Sequence, residues 1–290
     1  MLSKSTLLHL RLPFSFFLMP VFCFAAGIAF SGDWFRLLLT FGILHLMVYP
    51  ASNGYNSYYD KDEESIGGLE QPPPVSKQLL YVSLLIDGIA LLLSLLVSLW
   101  FTLGILLYGL VSKAYSNDTI RLKKMPVLGW LTVGVFQGGF TFLIVYQGVA
   151  LASMTQLMEG KILFAALLST VLLLGSYPMT QVYQHSEDAR RGDLTISRML
   201  GIRGTFLFTG GAFALATMGY VWYFSQYFSI HVAFAFVATL SPVVLFFGWW
   251  FWQTLQNPRQ ANFKNTMRLN LYSAICMNVF FIGLGIWLQR

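Results

Sequence analysis

The sequence predicts an all-α, polytopic membrane protein with nine transmembrane helices, and three observations carry that prediction. The 290 residues are 56% hydrophobic and only 10% charged, with a mean hydropathy of +0.64. A soluble chain of this size could bury a large core but could not cover its surface with so few charges. The apolar residues run in stretches of about 20, the length of a bilayer-spanning helix. The basic residues gather in alternate connections between those stretches. Disorder and a secreted disulfide scaffold are excluded, since the only cysteines, Cys23 and Cys276, sit inside apolar runs.

The spans are justified in order. Residues 13–30 form the first; Lys4 and Arg11 before it imitate a signal peptide, but the stretch reads as a transmembrane helix. The second covers 34–54 and passes directly into a polar segment. The third and fourth, 78–98 and 100–115, abut at Leu99 and predict a tight helical hairpin. Spans five and six cover 127–150 and 161–183, and the last three cover 205–223, 231–252 and 267–288. Each run is continuous rather than alternating, which disfavours a strand barrel.

The N-terminus and the connections after spans two, four, six and eight hold 15 of the 18 basic residues. The positive-inside rule therefore places those segments in the cytoplasm, and the expected location is the cytoplasmic (inner) membrane. The net charge of +6 then reflects topology and lipid headgroups, with no nucleic-acid partner. The same side also carries nine of the 12 carboxylates. Acids have no topogenic role, so they call for a separate explanation.

Two segments match. Tyr55-Asn56 is followed by Asp60, and Tyr183-Gln184 by Asp188; a second amide, Asn53 or Gln181, precedes each pair by three residues. Four spans separate the copies, which suggests a parallel duplication over 1–126 and 127–265 with a final helix at 266–290. On a continuous helix Asn53, Asn56, Asp60 and Glu64 share one face, as do Gln181, Gln184 and Asp188. Each stripe leads from the membrane to a carboxylate, and intramembrane polar groups should face the bundle interior. Carboxylate and amide oxygens suit Mg²⁺, which commonly binds through one or two carboxylates plus substrate phosphates. Asn56, Asp60, Glu64, Gln184 and Asp188 are the candidate metal ligands. The loop after span four offers Tyr115, Arg121, Lys123 and Lys124 to a diphosphate, although the same charges would serve topology alone. Asp87 lies about nine residues, or roughly 14 Å, into span three. It should be paired or protonated, and it stands with Asp60 and Asp188 as a candidate catalytic group.

Together these segments resemble the UbiA superfamily of intramembrane prenyltransferases. Asn56-Ser57-x-x-Asp60-x-x-x-Glu64 is similar to the family's NDxxDxxxD, and Gln184-x-x-x-Asp188 to its DxxxD, followed here by Gly192, Thr195 and Leu200-Gly201. Tyr115-Ser116 with Arg121-Leu122-Lys123-Lys124 resembles its YSxPPxRLKR segment. The resemblance implies one domain of nine helices around a central cavity. It implies Mg²⁺-dependent transfer of a prenyl group from an isoprenyl diphosphate to an aromatic, quinone-precursor-like or related hydrophobic acceptor. Ser57, Glu64 and Gln184 depart from the family pattern. The alternative they raise is a catalytically degenerate lipid-binding or transport protein on the same scaffold.

Overall fold

The computed structural model describes residues 2–290. Among them there is no β-strand, only an isolated bridge between Ile66 and Leu69. Nine spans cross the bundle when the bent first pair counts as one. They are α1 (Lys4–Phe17 and Met19–Ala29, bent by 51°), α2 (Trp34–Asp60), α3 (Lys77–Ser94), α4 (Leu99–Ser116), α5 (Pro126–Ala150), α6 (Gly160–Gln181), α7 (Ile196–Tyr227), α8 (Ile230–Gln256) and α9 (Phe263–Leu288).

Short polar side chains start several of these helices by accepting a backbone N–H that would otherwise lack a partner. Asp33 caps α2 through the Arg36 N–H, Ser98 caps α4 through Phe101, Ser229 caps α8 through Val232 and Asn262 caps α9 through Asn265. The Ser98 cap explains the tight α3–α4 hairpin, because the chain leaves α3 at Ser94 and re-enters a helix at Leu99. The seventh span is longer than the apolar run 205–223 implies. It begins at Ile196 and crosses a break at Gly201, where φ is +69°. The apolar pattern alone hides this extension, because Arg198 and Arg203 lie on the added turns.

Helices adjacent in sequence pack side by side from α2 round to α9, and α9 packs back against α1. Where α1 and α9 cross, Gly27 and Gly285 meet backbone to backbone, and a Cβ on Gly285 would stand 3.0 Å from the Gly27 Cα. An aromatic cluster fills the interior there: Phe24 stacks on Phe281 and meets Tyr220 and Tyr223 edge-on. Outward faces carry large apolar side chains such as Phe35 and Leu245, 69% and 73% exposed, as lipid contact requires.

Two spans contain π-helical stretches, Gly42–Val48 in α2 and Gly134–Phe140 in α5. Such an insertion re-aims the side chains beyond it. In α5 it sets Gly138 and Gly139 directly against the backbone of α6, where the Gly139 N–H donates to Thr170 Oγ1 at 3.0 Å.

At one end of the bundle the loops after α2, α4 and α6 touch one another. Gln184 donates to the Ser65 carbonyl, Arg191 to Asp62, and Arg121 to Asp193. The N-terminal segment is strapped over the first of these loops by Ser5 Oγ donating to Pro74 O and His9 Nε2 bonding Pro73 O, both at 2.7 Å.

Candidate active site

Beneath these loops lies a cavity of about 280 Å³, lined from α1, α2, α4, α5, α6 and α9 as well as from the loops. Its polar wall begins at the end of α2. Lys61 adopts a left-handed conformation (φ 49°), which ends the helix and leaves Asp60 as its last residue. Asp60 is only 4% exposed. Its Oδ2 accepts from Asn56 Nδ2 at 2.7 Å and lies 2.5 Å from Lys123 Nζ. Its Oδ1 makes no hydrogen bond and faces Arg121 Nη1 at 3.5 Å.

Arg121 is fixed by the loop after α4, also in a left-handed conformation (φ 46°). It grips Asp193 with two N–H groups at 3.2 and 2.9 Å, a bidentate pairing that a guanidinium fork makes well. It also donates to Asp118 at 3.1 Å. Burial works against its charge, but the bonds to Asp193 and the neighbouring Asp60 hold its pKa above the ordinary arginine value. The mouth is thus a buried lattice in which Asp60, Asp193, Arg121 and Lys123 neutralise one another.

Asp188 stands outside that lattice. It lies in the short helix His185–Arg190, lines the cavity, and accepts a hydrogen bond from Thr195 Oγ1 at 3.0 Å. Burial pushes its carboxyl up to about 6, against the opposing pull of the Thr195 bond and of Lys123. Asp62 on the opposite loop is raised as well, by burial and by the charge of Asp60, with Arg191 donating to it at 2.8 Å. Tyr115 and Tyr177 share a hydroxyl hydrogen bond over the cavity, and Gln181 Nε2 donates to Tyr177 at 3.0 Å.

The structure therefore gathers Asn56, Asp60, Tyr115, Lys123, Gln184 and Asp188 around one cavity. Four other expected residues lie elsewhere. Glu64 does not continue the α2 stripe, because Lys61 breaks the helix; it is exposed and pairs with Arg190 and Ser186. Arg121 stands behind the wall on Asp193 rather than lining the cavity. Lys124 is exposed and away from the cavity. Asp87 is not in the cavity wall; it forms an ion pair with Lys113 of α4, which answers its expected need for a partner. The second stripe is also broken: α6 stops at Gln181, and Gln184 and Asp188 belong to the loop and short helix beyond it. Ser57, the first departure from the motif, is buried and does not line the cavity.

Sequence reasoning did not single out Arg11, Asp62 or Tyr177 as cavity residues. Tyr177 carried a usable signal, one helical turn before Gln181 on the same face.

Among the described residues no three His, Cys, Asp or Glu side chains converge as a metal cage. What the cavity offers instead is separate oxygen donors. Asp60 Oδ1 and Gln181 Oε1 are buried without a hydrogen-bond partner, and the Asp188 carboxylate has no cation on it. That donor set fits a hard ion that takes the rest of its coordination from water or substrate oxygens. Four residues, Phe17, Leu173, Ser176 and Asn270, also line a second, largely apolar cavity of about 120 Å³ that runs on between α1, α6, α7, α8 and α9.

The model of the UbiA prenyltransferase family matches residues 14–273. Solved structures align over nearly the whole chain. A UbiA homolog from Archaeoglobus fulgidus bound to GPP and Mg²⁺ gives a TM-score of 0.70 at 16% identity, covering 98% of each chain. A UbiA homolog from Aeropyrum pernix K1 without ligand gives 0.71 at 16% identity, covering 96% of this chain and 98% of the other. A digeranylgeranylglyceryl phosphate synthase gives 0.60 at 17% identity, covering 98% and 97%. At these identities the likeness is one of fold. No curated protein sequence matches the chain.

Proposed function

The chain belongs to the UbiA prenyltransferase family, and from that premise we propose that it moves a prenyl group from an isoprenyl diphosphate to a hydrophobic, aromatic acceptor within the membrane. The observation that carries this reading is the placing of two carboxylates from different loops, Asp60 and Asp188, on one cavity that runs on into an apolar chamber. A diphosphate with a hydrocarbon tail needs that combination, and a purely apolar lipid does not.

Asp60, Asn56, Asp188 and Gln184 would hold Mg²⁺. When bound, Mg²⁺ supplies positive charge that stabilises the departing diphosphate. The protein's own residues do the rest. Lys123 exchanges its carboxylate partner for a phosphate oxygen, a charge-assisted contact of comparable strength. Arg121 keeps Asp193 and the loop in place. The ring faces of Tyr115 and Tyr177 lie where an allylic cation would form and shield it from water. The apolar chamber takes the tail. The acceptor then attacks C1 of the prenyl group as the C–O bond opens, and loses its ring proton. Relatives bound to GPP or DMAPP with Mg²⁺ support this assignment. The loop end is expected to face the cytoplasm, where water-soluble diphosphates are supplied.

The decisive experiment measures Mg²⁺-dependent turnover of an isoprenyl diphosphate in Asp60→Asn, Asp188→Asn and the double variant. Each single change is expected to lower turnover at least about 100-fold, and the double to be little worse, because groups acting as one unit are strongly non-additive. Full activity in Asp188→Asn would reject the two-sided site. Absence of Mg²⁺-dependent turnover in the unaltered protein would favour a lipid-binding scaffold, the reading that Gln184 supports by offering an amide where the motif has an acid.

A further inference from the structure

Six charged residues line the cavity: Arg11, Asp60, Asp62, Lys123, Asp188 and Asp193. Four of them have an opposite charge within 4 Å. Asp60 and Asp193 face Lys123 and Arg121, and Asp62 faces Arg191. Asp188 is left over for the metal. Arg11 is left over with nothing assigned to it.

Arg11 is 9% exposed, and among the described residues no carboxylate lies within 4 Å of it. Asp60 and Asp62 act on it only from farther off. Its guanidinium donates to two backbone carbonyls, Gly67 O at 3.1 Å and Asn53 O at 3.2 Å, and its buried Nε–H has no partner. Five N–H donors thus meet two neutral acceptors. A buried cation without a counter-ion is costly, and the cost falls when an anion reaches it. The arrangement is built rather than incidental. Arg11 sits at a left-handed turn (φ 48°) at the head of α1, and Phe14 three residues on packs so close to Gly67 that a Cβ there would meet the ring at 2.6 Å. The strap and the loop are fitted to each other with the guanidinium between them.

The position of this cation separates it from the diphosphate end. Asn53, which Arg11 holds, precedes Asp60 by seven residues of α2, about 10 Å deeper along the helix. The cations nearest the carboxylates are Lys123 and Arg121, both from the opposite loop.

We propose that Arg11 receives an oxyanion on the acceptor, so that the acceptor is an aromatic carboxylate rather than a neutral ring. This rests on the prenyl-transfer reading and narrows it. A carboxylate docked on the free Nε–H edge fixes the ring in the cavity and satisfies the orphaned charge. A neutral acceptor leaves the guanidinium unpaired and is discriminated against for that reason.

Arginine footprinting of the purified, detergent-solubilised full chain tests this. Phenylglyoxal labelling at Arg11 is read by mass spectrometry in the presence of hydroxybenzoates and hydroxynaphthoates, each paired with its uncharged amide, and separately with inorganic pyrophosphate and Mg²⁺. The expected result is protection of Arg11 by at least one carboxylate but not by its amide, and none by pyrophosphate. Arg11→Gln should then bind that carboxylate at least tenfold more weakly, bind pyrophosphate as the unaltered protein does, and lose the carboxylate-over-amide preference. A merely structural role for Arg11 would not move that preference. The assignment is overturned if no carboxylate protects, if pyrophosphate alone protects, or if Arg11 resists labelling in the free protein. Footprinting needs no variant, so it decides even where Arg11→Gln fails to fold. Pyrophosphate binding that persists while Arg11 ignores every carboxylate removes this proposal and leaves prenyl transfer standing; loss of Mg²⁺-pyrophosphate binding in the unaltered protein removes both.

Discussion

Asp188 carries a carboxylate that a hydroxyl, rather than a cation, holds in place, and burial pushes it up to about 6. A carboxyl raised in the folded state binds its proton more tightly there than in the unfolded chain. The stability this gives is complete at about pH 4 and is lost as pH rises through about 6. In metal-free detergent solution the thermal midpoint of the unaltered protein should therefore fall between about pH 4 and pH 7 relative to Asp188→Asn, by roughly 2–6 °C. Parallel curves for the two proteins would show that Asp188 is not shifted. Both this residue and Asp60 were legible in the sequence, because each follows a Tyr-amide pair at the same interval. Glu64 was misread because helix periodicity was extended past Lys61, whose left-handed backbone no composition rule announces. Arg11 was hidden for a different reason. Counted among the charges that sort topology, it gave no sign that its side chain turns inward.

The α3–α4 hairpin shows the same limit one level up. The hydropathy pattern placed both helices and the tight turn between them, and it flagged Asp87 as a charge in need of a partner. It could not choose the partner, because Lys113 is 26 residues away and only the antiparallel packing brings the two together. The ion pair is partly exposed, each side chain about a fifth, so lipid and snorkelling soften its energy. Asp87→Leu should lower the thermal midpoint by a few degrees, since it strands Lys113. Adding Lys113→Leu should recover most of that loss, as replacing both partners of a buried pair commonly does. Turnover should stay within about twofold in the double variant, because neither residue lines the cavity. A tenfold fall in turnover without a loss of stability would return Asp87 to the reaction. The π-helical stretches of α2 and α5 were not legible at all. They are read from backbone pairing, and Gly138-Gly139 looks like any flexible spot until α6 is laid against it.

For the molecule as a whole, alternating span direction fixes which loops share a side once one is placed. Single-cysteine labelling in a chain lacking Cys23 and Cys276 should find positions 65, 117, 193 and 260 protected from outside reagents and positions 33 and 154 open to them. Labelling of position 65 from outside would overturn the orientation expected from 15 basic residues on one side. The number of spans was legible because lipid demands long apolar runs. Their arrangement into a ring was not, since hydropathy says how long a helix is and nothing about its neighbours.

The crossing of Gly27 with Gly285 joins helices made first and last during synthesis. Neighbours elsewhere in the ring emerge from the ribosome close together in time and can pair as they arrive. This seam has to wait for the whole chain, and Gln289 Nε2 fastens it at 2.8 Å to the Phe30 carbonyl only once the final residues are out. Until then α1 and the apolar chamber beside it stand open to lipid. The prenyl-sized space is therefore enclosed in the last moments of biogenesis, and a chain ending before Phe263 would have every candidate ligand in its sequence and no wall on that side to keep a substrate in.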